Sequence, residues 1–554
     1  MLTKLSRLFW TVRYLTAKQV YYRLYYRFKK PSVLTLEALE EQSDFNQIGG
    51  GFEWDGVCYK ERLITSCDEA TFLNKKASIK SKAIWNDTTL EKLWLYNLHY
   101  FDDLNSSDAY DRVAFHTSLV HRWINENPAC AGNGWEPYTL SLRIVNFIKW
   151  ASKFKYRDGR FLGSLLQQSE ALMQQCEYHI LANHLFANGK ALTFAGVYFG
   201  PLGKSYLQRG LEILDAEFNE QFLEDGAHYE LSPMYHSVML WDVLELIELA
   251  LSSEQELLLD RVESWKGIAK KGLSWLESML HQDNEISFFN DAAIGIAPSP
   301  AKLFEYAEQL QISTERTKPE IYTHHNESGF SVINGSTYKV IINHAEIGPS
   351  YQPGHAHADS LSFEFSLMGK RVFVNSGTSM YGVSKEREAE RGTSKHNTVS
   401  IENINSSEVW SGFRVARRAH SSCELLDKSA DRITLNLSHD GYARINSNYI
   451  HTRKICCGAS SLEIVDSIPV KNEEGVFGHY HLHPDIIVTE INDFNFRLKH
   501  KGSSDIDVLI EVDNAQVSTE KYDYHPEFGI SITGTKLILK SIDSKKPFSI
   551  LVKW

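Results

Sequence analysis

Two stretches, SPMYHSVMLWDVLELIELALSS (residues 232–253) and LSFEFSLMGKRVFV (residues 361–374), carry opposite periodicities and together decide the fold. In the first, Ser232 can cap a helix, Pro233 sits in its first turn, and apolar residues recur at three-and-four spacing. In the second, Leu361, Phe363, Phe365 and Leu367 alternate with other residues, and Gly369-Lys370 supplies a turn, so the period is two and a hairpin is predicted. Working outward, LTFAGVYFG (192–200) and LEILDAEFNEQFL (211–223) extend the helical pattern from about residue 90 to 310. Beyond Ser328 the alternation returns in Tyr338, Val340 and Ile342, and in Ile433, Leu435 and Leu437. The reading is α+β and multidomain: a lead-in over 1–89, a helical array or toroid over 90–315, and an antiparallel β domain over 325–554.

At 554 residues the chain is long enough for two or more structural units. A 43% hydrophobic and 23% charged composition is that of an ordinary globular chain. The net charge of −12 argues against a nucleic-acid partner. Residues 1–30 hold eight Lys/Arg and no acid, which leaves −20 on the remainder. Lys4, Arg7, Arg13 and Lys18 interrupt any apolar run there, so no signal peptide is evident, and no stretch is long enough to span a bilayer. This points to a cytoplasmic chain, or to one peripheral at the inner membrane face. Two readings of the basic start stay open. It is a helix packing Leu5, Leu8, Phe9, Val12 and Leu15 onto its own protein, or it rests on an anionic membrane surface. The seven cysteines form no CxxC pair; adjacent Cys456 and Cys457 read as buried free thiols.

Chemistry-bearing residues cluster at the seam between the two halves, in five pieces. These are Asn183-His184 in NHLFANG, Tyr235-His236 in ELSPMYH, His355-x-His357-x-Asp359 in GHAHADSLSF, Asn375 in VNSGTSMYG, and Arg391 with His396 in RGTSKHNTVS. In an extended segment His355 and His357 would share a face. His479, His481 and His483 are a rival metal set. There is no GxGxxG after a strand and no HExxH, so no organic cofactor is expected.

In this order and spacing, the five pieces resemble the heparinase II/III-like polysaccharide lyases, the resemblance running from about Leu93 to Pro484 and suggesting the type associated with bacterial capsule or exopolysaccharide. It implies an incomplete (α/α) toroid followed by an antiparallel β-sandwich, and β-elimination at a uronic acid of an acidic polysaccharide, with loss of the C5 proton and of the O4 leaving group. It places Asn183 on the substrate carboxylate, Tyr235 as acid, and either Tyr235 or His355 as base. His184, His236, Arg391 and Asp359 are possible support. The family's divalent metal (Zn or Ca) would map to His357, Asn375 and His396, where Asn375 replaces an Asp and weakens the set; Asp359 is an alternative ligand. An anionic polymer requires a basic cleft, for which Arg143, Arg391, Arg414, Arg417 and Arg418 are candidates. Alternatives are a non-catalytic glycan-binding or assembly protein that kept the fold, and a glycoside hydrolase using Glu230 with Asp225.

Overall fold

A computed structural model describes residues 2–42, 51–66, 68–313, 320–429, 431–470 and 475–554. Cys67 and the first two glycines of the Gly49–Gly51 run lie outside the described residues.

The helical half runs from Lys92–Tyr100 to Pro300–Gln309. Its centre is built by Pro137–Phe154, Ala182–Phe199, Lys204–Gln221 and Pro233–Ser253. Ala182–Phe199 and Pro233–Ser253 are apolar nearly all round, because each is enclosed by other helices. Gly196 permits the closest approach: a Cβ there would stand 2.4 Å from the backbone nitrogen of Leu207 on the next helix. The fold is an incomplete toroid.

Among the described residues the β half has two large antiparallel sheets and a two-stranded ribbon, Val409–Trp410 with Arg414–Val415. An eight-stranded sheet runs from Ser421–Lys428 at one edge to Ile486–Asn492 at the other. A nine-stranded sheet has Ala515–Tyr524 and Tyr322–His325 as its edges. One core joins them, with Val340, Phe363 and Tyr480 of the larger sheet against Leu435, Ile455 and Ile550 of the smaller. The predicted hairpin is present as Phe363–Leu367 paired with Lys370–Phe373. Cys456 and Cys457 are buried free thiols.

The basic start is two helices, Leu2–Val12 and Ala17–Phe28. The second is anchored to the toroid: Gln19 donates to the Ile180 carbonyl and Tyr26 to that of Cys176. The first touches the β domain, where Trp410 donates to Thr11. The packing of Leu5, Leu8, Phe9, Val12 and Leu15 onto the protein forms only at half-buried Leu15; the other four are exposed, Phe9 by 63%. Polar side chains and aromatic contacts, such as the Tyr22 ring against Tyr178 (4.7 Å), tie these helices down. Among the described residues, no helix is long and apolar enough to cross a membrane.

Candidate active site

The site is assembled around a residue pair that the sequence motifs do not contain. Asn290 and Asp291 lie in the buried run Phe288–Ala293, between the toroid and the sheets. Ser232 caps the helix Pro233–Ser253 by accepting from the Tyr235 amide (3.2 Å), and its hydroxyl donates to the Asp291 carbonyl (2.5 Å). The Asp291 amide in turn donates to the His355 carbonyl (3.0 Å). Asn290 repeats the stitch, donating to the Leu231 carbonyl and accepting from the His357 amide. The helix start bearing Tyr235 and the loop bearing His355 are therefore pinned to the same two residues.

The result is direct contact. The Tyr235 and His355 rings stack with centroids 3.8 Å apart. Tyr235 Oη lies 2.9 Å from Tyr381 Oη. His355 Nδ1 lies 2.9 Å from Asp291 Oδ2; a carboxylate only accepts, so Nδ1 carries a proton. Burial, reinforced by Tyr381, pushes the Tyr235 phenol well above its ordinary pKa, so it rests protonated. Asp291 is fully buried and gripped by both guanidinium nitrogens of Arg387, with His357 Nε2 at 2.8 Å. Burial alone would raise its pKa; Arg387 and the two imidazoles instead hold it well below the carboxylate range.

Asn183 opens the helix Ala182–Phe199, and its amide nitrogen lies 3.0 Å from both oxygens of the buried Glu230. Glu230 thus fixes which way the amide faces, and one N–H shared between its oxygens leaves the other to donate elsewhere. His184 Nδ1 meets Glu177 at 3.0 Å, and its ring lies against Tyr138 (4.4 Å). Burial opposes charge on His184, but Glu177 outweighs it and raises the pKa. Tyr138, Tyr235 and Tyr381 line a cavity of about 380 Å³ running into the toroid, with Tyr59 and Trp241 on its wall.

Residues 109–311 match the family description "Heparinase II/III N-terminus", and residues 317–552 match "Heparinase II/III-like, C-terminal". The chain belongs to the heparinase II/III family. A heparin-sulfate lyase of Bacteroides thetaiotaomicron is 24% identical over 330 residues, covering 51% of this chain and 47% of the relative. One from Pedobacter heparinus is 22% identical over 320 residues, with the same coverage. The chain thus spans about half the length of the curated relatives it matches. The crystal structure of a heparinase III superposes with a TM-score of 0.69 at 17% identity, over 96% of this chain and 88% of that one. A chondroitin AC lyase of Streptomyces coelicolor superposes at 0.51 and 11% identity, over 86% and 74%. These likenesses establish the heparinase fold, a toroid followed by a sandwich.

Several expected participants are committed elsewhere in this heparinase-family chain. His236 accepts from the His228 amide and meets the Gly272 carbonyl with its other nitrogen; burial pushes its pKa down to about 4, and it is a packing residue. Arg391 spends its guanidinium on the carbonyls of Ala356, Ser411 and Arg414, supporting the His355 loop from behind. The predicted arginine-rich cleft does not form. Arg143 binds Gln168 and two carbonyls inside the toroid, Arg417 pairs with Glu408, Arg418 lies over Tyr14, and Arg414 over Trp410. The cations facing the cavity are lysines instead: Lys60, Lys149, Lys153 and Lys190. The hydrolase pair is not available either, since Asp225 accepts from Ser328 and Ala227 while Glu230 holds Asn183.

The residues mapped to a metal run in a line. His357 Nδ1 faces His396 Nε2 (3.2 Å), and His396 turns its other nitrogen to Asn375 Oδ1 (3.2 Å). Opposite sides of one ring cannot address one ion, so in this arrangement the three do not fit a shared metal. Asp359 is hydrogen-bonded to Asn343 rather than to either imidazole. His479 and His481 are likewise held separately, by Ser400 and Asn397.

Burial raises the Asp359 carboxyl to about 7, and its Oδ2 has no hydrogen-bond partner. A folded-state pKa above the unfolded value of about 3.9 means stability present below pH 4 and lost as pH rises through 7. Asp359→Asn removes that loss. Its denaturation midpoint is expected to exceed the wild type's at pH 8 and to converge with it only below about pH 4; equal pH slopes in the two proteins would refute the assignment.

Proposed function

We propose that this chain is a polysaccharide lyase that cleaves a uronate-containing glycan by β-elimination. The observation that carries the reading is the stacked Tyr235–His355 pair, a protonated phenol beside an imidazole whose Nδ1 is engaged by Asp291. A phenolic acid and an imidazole base in contact are what elimination across adjacent ring carbons needs. His355 takes the C5 proton, and Asp291 stabilises the imidazolium that forms. Asn183, oriented by Glu230, donates to the uronate carboxylate and stabilises the charge that develops on it. Tyr235 protonates the departing O4, and Tyr381 holds its hydroxyl in place. The family metal enters no step.

The cavity suggests which uronate polymer. Lys60 pairs with Asp102 (3.2 Å), Lys149 with Glu245 (2.5 Å), and Lys190 with both Asp242 and Glu245. Its cations are largely neutralised by its own carboxylates, while Tyr59 and Trp241 offer ring faces and Asn97 an amide for a sugar. A wall of this kind suits a glycan with about one carboxylate per repeat and no sulfate. In a panel of sulfated and unsulfated uronate polymers, the unsulfated ones are expected to yield the ultraviolet-absorbing unsaturated product; turnover confined to the sulfated ones would contradict the substrate assignment.

The N-terminal helices suggest where the chain works. Phe9, Leu8, Val20, Leu24 and Phe28 are exposed on a segment with eight basic residues and no acid, and Phe28 is 86% exposed. Apolar insertion combined with basic charge suits an anionic bilayer surface. The protein is expected to co-sediment with phosphatidylglycerol vesicles but not phosphatidylcholine vesicles, and Phe9→Ser with Phe28→Ser should weaken this. Equal binding to both lipids, or to neither, would contradict the proposal.

A further inference from the structure

A second cluster of ligating side chains lies far from these residues in the sheet order, where the sandwich is open. His324 on the edge strand Tyr322–His325 pairs with Ser331 on Phe330–Asn334, so the two share a face. Ser331 also pairs with Ile342, and His344, two residues further on, returns to that face. Opposite stands Cys423, on Ser421–Lys428, the edge strand of the other sheet, with its thiol free. The ligand atoms of His324, His344 and Cys423 lie within 4.8 Å of one another. Ser331 Oγ is 3.0 Å from His324 Nδ1 and 3.0 Å from His344 Nε2. The two imidazoles are parallel within 9° at 5.1 Å.

We propose that His324, His344 and Cys423, with the Ser331 hydroxyl or a water as fourth ligand, form a Zn2+ site that clips together the open edges of the two sheets. Zinc bonds of about 2.0–2.3 Å in a tetrahedron put ligand atoms roughly 3.3–3.8 Å apart. The ligand atoms, all within 4.8 Å of one another, need to draw in by about 1 Å at most, which side-chain adjustment can supply. Two imidazoles and a thiolate are a borderline-soft set, which favours zinc over calcium or magnesium. The strand that supplies Cys423 is mostly exposed and hydrogen-bonded on one side only, so a crosslink there ties down an edge strand of the sandwich. The site is independent of the catalytic residues and of the lyase reading.

Chelator-treated full-length protein, kept reduced, is titrated with Co2+ as the probe and then with Zn2+. One equivalent of Co2+ is expected to produce thiolate-to-cobalt charge-transfer absorbance that Zn2+ abolishes, and Zn2+ should raise the denaturation midpoint. Cys423→Ser should lose the absorbance, His344→Ala should bind at least about 10-fold more weakly, and His396→Ala should behave as wild type. Circular dichroism verifies that each variant is folded. Absence of the band in wild type, its persistence in Cys423→Ser, or its loss in His396→Ala overturns the assignment.

Discussion

Tyr235→Phe is expected to lower kcat by about 10²–10⁴-fold, the range for losing a positioned proton donor, while the fold and glycan binding persist. The ring remains, so its 3.8 Å stack on His355 is retained, and the cost of folding is limited to one hydroxyl contact with Tyr381. Because a phenylalanine at 235 leaves His355 and Asp291 untouched, the deficit reports leaving-group protonation rather than base strength. KM should change little and the lost turnover should appear in kcat. A variant retaining more than a tenth of wild-type kcat would remove Tyr235 from the mechanism, and proton donation would have to come from Tyr381, the other phenol at that point.

Asp291→Asn is expected to have the largest effect on stability. It leaves the fully buried Arg387 guanidinium without its counter-ion and puts an NH2 donor in place of one of the two oxygens that face His355 and His357. Breaking one side of a buried ion pair costs about 3–5 kcal/mol, which should be visible as a lower denaturation midpoint and lower expression. Activity should also fall, because the His355 imidazolium loses its stabilising carboxylate and its tautomer is no longer fixed. Two effects are separable. Combining Asp291→Asn with Arg387→Met removes the stranded charge, so the double variant should recover part of the stability lost in the single one and none of the activity. Additive destabilisation in the double variant would show that the pair is not the energetic unit proposed here.

The α-then-β order was legible because periodicity is local: residues 232–253 and 361–374 declare helix and strand without reference to any partner. The five motifs were legible for the same reason, and three of their residues, Tyr235, His355 and Asn183, are the ones the proposed mechanism uses, with Tyr235 and His355 in ring contact. Asp291 was not legible. Its partners are Arg387, His355 and His357, all more than sixty residues away, and only burial distinguishes it from other aspartates. The one local hint was two polar residues inside the apolar run FFNDAA, where an unpaired Asn-Asp would be costly. Arg387 was passed over for Arg391, four residues on, because a sequence shows where charges are and not what neutralises them. The same limit misplaced the cleft cations, since Arg143 and Arg391 hold backbone carbonyls and Arg417 pairs with Glu408, while Lys149 and Lys190 face the cavity. For the N-terminal helices the apolar stripe was read correctly as a stripe, but amphipathicity does not say whether the apolar side meets protein or something else.

The central claim is that a stacked phenol and imidazole break a glycosidic bond without water. Product mass tests it most directly. Elimination partitions the substrate into fragments whose masses add up to that of the parent chain, one fragment carrying a C4–C5 double bond. Hydrolysis adds the mass of one water per cut. Mass spectrometry of an unsulfated uronate oligosaccharide after incubation with the protein is expected to show a fragment lighter by one water than its saturated counterpart, absent with Tyr235→Phe. Fragments that are all saturated and hydrated, or an uncut oligosaccharide across the whole uronate panel, would contradict the account.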